Sequence, residues 1–194
     1  MQLRRYSKLR FGVIMLTFKK PLDQYPWYIR IIFWAQKIKY GAPLEPAQYW
    51  ARDPQTMFGL QVLYRCLDRK HIPLDKKLRL LASLRVSQIN DCAFCFDISS
   101  SQMKNFDISA EKLLELKQYK TSELYTEQEK AVLQYADAVT VTGEKVSDEL
   151  LNSLSAFLSK DGIVYLTSWI CFQNMTSKFN AALDVPAQGF CLKK

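Results

Sequence analysis

Apolar residues recur every three or four positions through most of this chain, which is the spacing of helices that bury one face. Two such helices have explicit start signals. Thr126 and Glu129 have the spacing of a capping box, in which each side chain accepts a hydrogen bond from the other residue's backbone N–H. Ser147 precedes two acidic residues and another apolar stripe, as an N-cap residue does. Because no segment alternates as a β-strand would, we predict an all-α fold without internal repeats.

Three more helices are expected in the body of the chain. The first covers residues 54–70, with Asp53 as its N-cap and proline at its first position. The second covers residues 74–89, and the last, which is long, lies between Asp161 and Asp184. A chain of 194 residues has the size of one domain. Such a domain buries roughly 70% of its extended-chain surface, so it needs no metal or disulfide to fold.

The basic charge of the chain is concentrated at its beginning. The net charge is +8, and residues 1–40 hold nine lysines and arginines but one acidic residue. Residues 41–194 are neutral, with 18 basic and 18 acidic side chains. No nucleic-acid recognition motif accompanies the charge, so we do not expect a nucleic-acid partner. We divide the chain into a basic, aromatic-rich arm, residues 1–40, and a helical domain, residues 41–194.

The arm contains one predicted amphipathic helix, between Pro26 and Lys39. We favour packing of its apolar face on the body of the protein or on a partner subunit. The alternative is that this face lies on an anionic membrane. No segment has the 18 apolar residues of a membrane span. The apolar run 11–18 resembles a signal peptide but lacks a small-residue cleavage site, so we expect it to be retained. We therefore expect a cytoplasmic protein, with peripheral membrane contact through the arm as the alternative. The predicted apolar face consists of Trp27, Tyr28, Ile31, Ile32, Trp34, Ala35 and Ile38.

The five cysteines of the chain indicate a reducing compartment. Their number is odd and the chain is helical, whereas secreted disulfide frameworks pair an even number in small loop-rich folds. Cys66 and Cys171 lie on apolar stripes of predicted helices, so we expect both to be buried structural thiols. The others are Cys92, Cys95 and Cys191.

Cys92 and Cys95 form a C-x-x-C motif at an expected helix start. If Asn90 caps that helix, unpaired backbone N–H groups and the helix dipole lower the thiol pKa of residues in the first turn. Residues i and i+3 share a face, so the sulfurs can form a disulfide. We favour a redox pair over two inert cysteines. A zinc site would need two more ligands, and only Cys191, His71 and distant acids are available, so we expect no metal.

The segment around the motif resembles a known family. Residues 84–95 are similar to the carboxymuconolactone decarboxylase family, and most to its alkylhydroperoxidase D (AhpD)-like branch. The similarity continues through residues 125–136, 146–150 and 178–186, so that it spans roughly 53–191. The resemblance implies an all-α, AhpD-like multi-helix domain that assembles into an intertwined homo-oligomer, a trimer or a hexamer.

The resemblance also implies an activity, which is thiol-dependent reduction of peroxides. In our own interpretation the pair reduces peroxides or a disulfide substrate. Cys95 would be the peroxidatic cysteine and Cys92 the resolving one. Helix-dipole reasoning alone favours Cys92 as the thiol of lower pKa, and we follow the resemblance. No cofactor is expected to be bound, and an external thiol reductant, such as a dihydrolipoyl protein, would recycle the disulfide.

The chain departs from the branch at two positions of a proton relay. Ser99 stands where the branch has a histidine, and Leu80 where it has a glutamate. General acid–base catalysis typically contributes about 10²–10⁴-fold, so we expect slower turnover than in relay-complete relatives. The single histidine, His71, is expected to be an ordinary surface residue.

Three nearby residues are candidates for supporting roles. Asp91 directly precedes Cys92 and is the better substitute base, whereas Asp97 is expected to point away from Cys95. Cys191 could fold back over the pair as a third thiol, but we favour an ordinary tail residue.

The alternative to an enzyme is a non-catalytic, oligomeric binding or scaffold member of the family. Lactone decarboxylation is the least favoured reading, because it does not require a C-x-x-C pair.

Overall fold

The structure, a computed structural model, describes residues 18–192 of the chain. This part is built from helices and contains no β-strand, so the all-α prediction is confirmed. Short 3-10 turns connect some of the helices. The α-helices in this range are α1 (Trp27–Tyr40), α2 (Glu45–Trp50), α3 (Pro54–Leu67), α4 (Lys76–Ile89), α5 (Ala93–Ser100), α6 (Ala110–Leu114), α7 (Glu127–Thr140), α8 (Asp148–Ser155) and α9 (Lys160–Ala182).

The predicted helix starts are largely confirmed. The hydroxyl of Thr126 accepts from the backbone N–H of Glu129 at 3.2 Å, and the Glu129 carboxylate accepts from that of Thr126 at 2.9 Å. Ser147 caps α8. The cap of α9 is Ser159, which accepts from the N–H of Gly162, so this helix begins ahead of the expected Asp161. Helices α2 and α6, of six and five residues, were not predicted because they are too short to show a helical period.

Helix α4 lies at the centre of the molecule and is buried on several faces. Leu78, Ala82 and Val86, four residues apart, pack into the core shared with α7, α8 and α9. Leu80, Leu81 and Leu84 pack into a second core with Tyr119 and Tyr125. A helix apolar around most of its circumference is an interior helix. The carboxyl end of α4 is therefore a rigid support for the segment that follows it.

A bidentate ion pair connects α4 to α7. Arg85 donates from Nε to Oδ1 of Asp137 at 2.5 Å and from Nη2 to Oδ2 at 3.1 Å. The hydroxyl of Tyr119 donates to the same carboxylate at 2.8 Å. Because Asp137 is only 8% exposed, these partners take the place of solvent around its carboxylate.

Helix α1 is present as predicted, but it packs by another face. Ile29 and Phe33 are buried against α2 and α3. Most of the residues assigned to the packing face are exposed instead, because the apolar residues of α1 surround more of the helix than one face. The most exposed of them are Trp27, Ile31, Trp34 and Ile38.

Residues 1–17, which include part of the basic arm and most of the apolar run 11–18, lie outside the described part of the chain. Between residues 18 and 192, none of the helices combines the length and the apolar character that crossing a membrane requires.

Candidate functional site

The cysteine pair lies at the amino-terminal end of α5, where the chain leaves α4. Cys92 is the N-cap residue, and its sulfur accepts a hydrogen bond from the backbone N–H of Cys95 at 3.2 Å. The sequence had indicated Asn90 as the cap of this helix. In the structure Asn90 is instead the residue that ends α4. Its side chain donates to Asn174 and Ser177 of α9, at 2.8 Å each, because the sulfur of Cys92 already occupies the capping position.

The two cysteines are joined by a disulfide bond. Their Cα atoms are 5.3 Å apart, within the usual range for bridged cysteines. Asp91, between the two helices, has a φ of 51°. This left-handed conformation, which aspartate tolerates, makes the sharp turn that places Cys92 at the start of α5. The spacing of the motif therefore brings the sulfurs together as expected.

The cysteine pair is buried in the chain as described, although it lies at the start of a helix. Cys92 is 2% exposed and Cys95 is 5% exposed. Val185 and Phe190 of the carboxyl-terminal tail belong to the same buried cluster. The pair is covered because this tail, residues 183–192, folds back over the start of α5. Tyr40, Leu44 and Tyr49 also pack against this cluster, so the tail is one part of the cover over the sulfurs.

Asp97 holds the tail in place. Its carboxylate accepts hydrogen bonds from the backbone N–H groups of Gln188, Phe190 and Cys191, at 2.9, 3.0 and 3.0 Å. Burial alone would raise the pKa of this carboxyl group. The N–H groups of Cys191, Phe190, Gln188 and Gly189 outweigh burial, so the pKa of Asp97 is lowered from 3.8. Asp97 thus faces the tail.

Cys191 is part of this closed tail but not of the buried cluster. It is exposed, and its thiol donates to the backbone carbonyl of Asp97 at 3.2 Å. The sequence left two possibilities for Cys191, and in one of them the tail folds back over the pair. The tail does fold back in this way. The side chain it inserts is the aromatic ring of Phe190, which lies 6.1 Å from the ring of Phe94, centroid to centroid.

The tail closure predicts a pH dependence. Because the pKa of Asp97 is lower in the folded protein, its stabilising contribution is present at neutral pH and is lost as the pH falls through that lowered value. Replacing Asp97 by Asn should release the tail at pH 7 and speed disulfide reduction by a small phosphine about tenfold. The wild-type rate should approach the variant rate at pH values below the lowered pKa. Asp161→Asn, at an exposed carboxylate, is the control; equal rates for all three proteins at pH 7 would contradict the closure.

The relay positions offer no titratable base. Ser99 is buried on α5, one turn after Cys95. Leu80 is buried in the core around Tyr119 and Tyr125, not in the cluster that holds the cysteines. His71 is exposed in the loop between α3 and α4, as expected. Asp91 is exposed, so its carboxylate is in contact with solvent.

The expectation that Cys66 and Cys171 are buried is wrong, because both are exposed. They lie on α3 and α9, which carry large apolar side chains on their outer faces as well. An apolar stripe on these helices is therefore no guide to burial. The exposed apolar side chains on these two helices include Phe58, Val62, Leu63, Val164 and Met175.

One residue of the site was not identified from the sequence. The Nδ2 atom of Asn180, on α9, donates to the sulfur of Cys95 at 3.3 Å. The two residues are 85 positions apart, and a single asparagine in an amphipathic helix carries no chemical signal. It does lie in the segment 178–186, whose resemblance to the family was noted.

Comparisons with known proteins agree on the family. The model of the carboxymuconolactone decarboxylase family matches residues 64–138. The uncharacterized protein YnjA of Escherichia coli K12 is 36% identical over 171 residues, which cover 88% of this chain and 94% of YnjA.

Solved structures show the same fold. A protein of unknown function from Agrobacterium tumefaciens, assigned provisionally to AhpD-type antioxidant defence, is 26% identical with a TM-score of 0.67. The alignment covers 72% of this chain and 94% of that one. The apo structure of the debrominase Bmp8 is 20% identical with a TM-score of 0.69, covering 84% of this chain and 88% of Bmp8. With the helical fold, the C-x-x-C disulfide and these similarities in place, the chain belongs to the carboxymuconolactone decarboxylase family and has an AhpD-like fold.

Proposed function

We propose that this protein reduces peroxides, with Cys95 as the peroxidatic and Cys92 as the resolving cysteine. The observation that carries the proposal is the disulfide at the start of α5, on the rigid end of α4. The family includes enzymes, among them a debrominase, and the structural neighbour from Agrobacterium tumefaciens points to antioxidant defence.

The proposed reaction balances with two thiols and one peroxide. The thiolate of Cys95 attacks the terminal oxygen of a hydroperoxide, the S–O bond forms, and the O–O bond breaks to release an alkoxide that takes a proton from water. Cys92 then attacks the sulfenic acid of Cys95 and displaces water, which gives the disulfide. An external dithiol, such as a dihydrolipoyl group, reduces the disulfide by exchange and is itself oxidised.

The surroundings of the pair support slow turnover. Ser99 and Leu80 supply no proton relay, and the tail covers both sulfurs. Asp91 is a weak substitute base, because its negative charge also raises the pKa of a neighbouring thiol. We therefore place this protein below relay-complete relatives in peroxide turnover.

Counting thiols before and after peroxide tests this function. The fully reduced, denatured chain should show five thiols, one for each cysteine. After one equivalent of hydroperoxide under native conditions, three should remain, and a dithiol should restore five. Peptide mapping should assign the lost pair to Cys92 and Cys95. Five thiols after peroxide would favour the non-catalytic binding or scaffold protein, a reading that the burial of the pair also supports.

We also propose that the protein is a cytoplasmic homo-oligomer, a trimer or a hexamer, with the exposed face of α1 between subunits. Trp27, Ile31 and Trp34 give this face an apolar surface that no part of residues 18–192 covers.

Replacing both Trp27 and Trp34 by Ser should lower the mass of the assembly measured by analytical ultracentrifugation. An unchanged mass with lost binding to anionic vesicles would assign the face to a membrane, since Arg30 and Lys37 share the helix.

A further inference from the structure

The side chain of Asn180 is a polar group at the cysteine pair that the proposed reaction does not yet use. It projects from the last turn of α9 and is 3% exposed. Its Nδ2 donates to the sulfur of Cys95 at 3.3 Å. Its Oδ1 is buried and, within residues 18–192, has no hydrogen-bond partner. A buried acceptor left unpaired is costly and uncommon, so it points to a donor that arrives from outside.

We propose that Asn180 is a catalytic residue whose amide holds the sulfur of Cys95 and a hydroperoxide together. The inference rests on the proposed peroxide reduction. The N–H of the amide donates to the thiolate and favours its ionised form. The Oδ1 atom accepts the O–H of the hydroperoxide.

One planar amide serves both contacts because its donor and acceptor lie side by side. Attack by the thiolate forms a bond to the terminal oxygen of the hydroperoxide, which is the oxygen that carries the hydrogen. A hydrogen bond from this O–H to Oδ1 of Asn180 places that oxygen next to the sulfur that Nδ2 contacts. The substrate class is therefore a hydroperoxide. A dialkyl peroxide has no O–H and cannot satisfy Oδ1.

The amide binds but does not transfer protons, since an asparagine side chain does not titrate. The titratable groups around Cys95 include Cys92, Tyr40 and Tyr49 in the apolar cluster. On the side of the tail they also include the buried carboxylate of Asp97 and the thiol of Cys191. Asn180 thus compensates for part of the missing relay by positioning, while the alkoxide still takes its proton from water.

The donor contact is tested on the reduced full-length protein without any peroxide. The pH dependence of alkylation by iodoacetamide, followed on the peptide that contains Cys95, gives the pKa of its thiol. Asn180→Ala should raise that pKa by about one unit. Asn180→Asp, which is isosteric but places a negative charge there, should raise it further. Asn174→Ala is the matched control, because this amide on the same helix bonds Asn90 and Thr140.

The acceptor contact is tested with tert-butyl hydroperoxide at a pH where Cys95 is fully ionised in both wild type and Asn180→Ala. Under this condition kcat/KM of the variant should still be about fivefold to tenfold lower, because the hydrogen bond to the substrate is lost. Equal values would overturn the acceptor role, and an unchanged thiol pKa in Asn180→Ala and Asn180→Asp would overturn the donor role. If wild type reduces no hydroperoxide, the proposed function fails, while the alkylation result still decides the donor role.

Discussion

Cys95→Ser should abolish hydroperoxide turnover, with a fall of at least about a hundredfold in kcat/KM. The serine hydroxyl is not ionised near neutral pH and cannot replace the thiolate as the nucleophile. The measurement is a coupled assay with a dithiol as the reductant. Cys171→Ser is the control, since that thiol is exposed on α9, outside the cysteine cluster, and its loss should leave turnover unchanged.

The matching variant Cys92→Ser should also stop turnover, but at a later step. The sulfenic acid of Cys95 then has no resolving thiol beside it, so it should accumulate and react with dimedone. A dimedone adduct on Cys92 in the Cys95→Ser protein would instead reverse the two roles. Turnover equal to wild type in both variants would contradict the redox account as a whole.

Asp137→Ala should have the largest effect on stability, a loss of about 3–5 kcal/mol in the free energy of unfolding. The substitution leaves the guanidinium of Arg85 without its carboxylate partner and removes the acceptor of the Tyr119 hydroxyl. Since a domain is stable by about 5–15 kcal/mol, this loss is a large fraction of the total stability. Urea denaturation, followed by circular dichroism, measures the change.

An exposed ion pair provides the comparison for this prediction. Glu127 and Lys130 lie 3.2 Å apart on the surface of α7, three positions apart. Glu127→Ala should cost less than about 1 kcal/mol, because solvent screens the pair. Equal losses in Asp137→Ala and Glu127→Ala would show that the buried network does not carry the stability assigned to it.

The helices of this fold other than the short α2 and α6 were predictable from the sequence because their signals are local. The capping residues Thr126 and Ser147 act within three positions of themselves, and apolar periodicity needs about a dozen residues. The same reasoning failed for Asn90, because two neighbouring residues can each cap the next turn. Only the folded chain shows that the sulfur of Cys92 takes that role and that the Asn90 amide turns towards α9.

The candidate site was predictable only in part, since much of it comes from distant segments. The motif itself indicates that Cys92 and Cys95 lie together. The cover over them depends on Asp97 and Phe190, and the amide beside Cys95 belongs to Asn180, more than eighty positions along the chain. Spacing rules do not extend over such separations, and an apolar stripe does not reveal which face meets the core.

The most direct test of the central claim is a single-turnover experiment on the reduced protein. Mixing it with one equivalent of tert-butyl hydroperoxide, with no reductant present, should form one molecule of alcohol for each Cys92–Cys95 disulfide. Product analysis and peptide mapping after an acid quench would measure both. Matching yields are the predicted result, because the two electrons that cleave the O–O bond come from this pair. Alcohol without the disulfide, or a pair that stays reduced while peroxide persists, would contradict it.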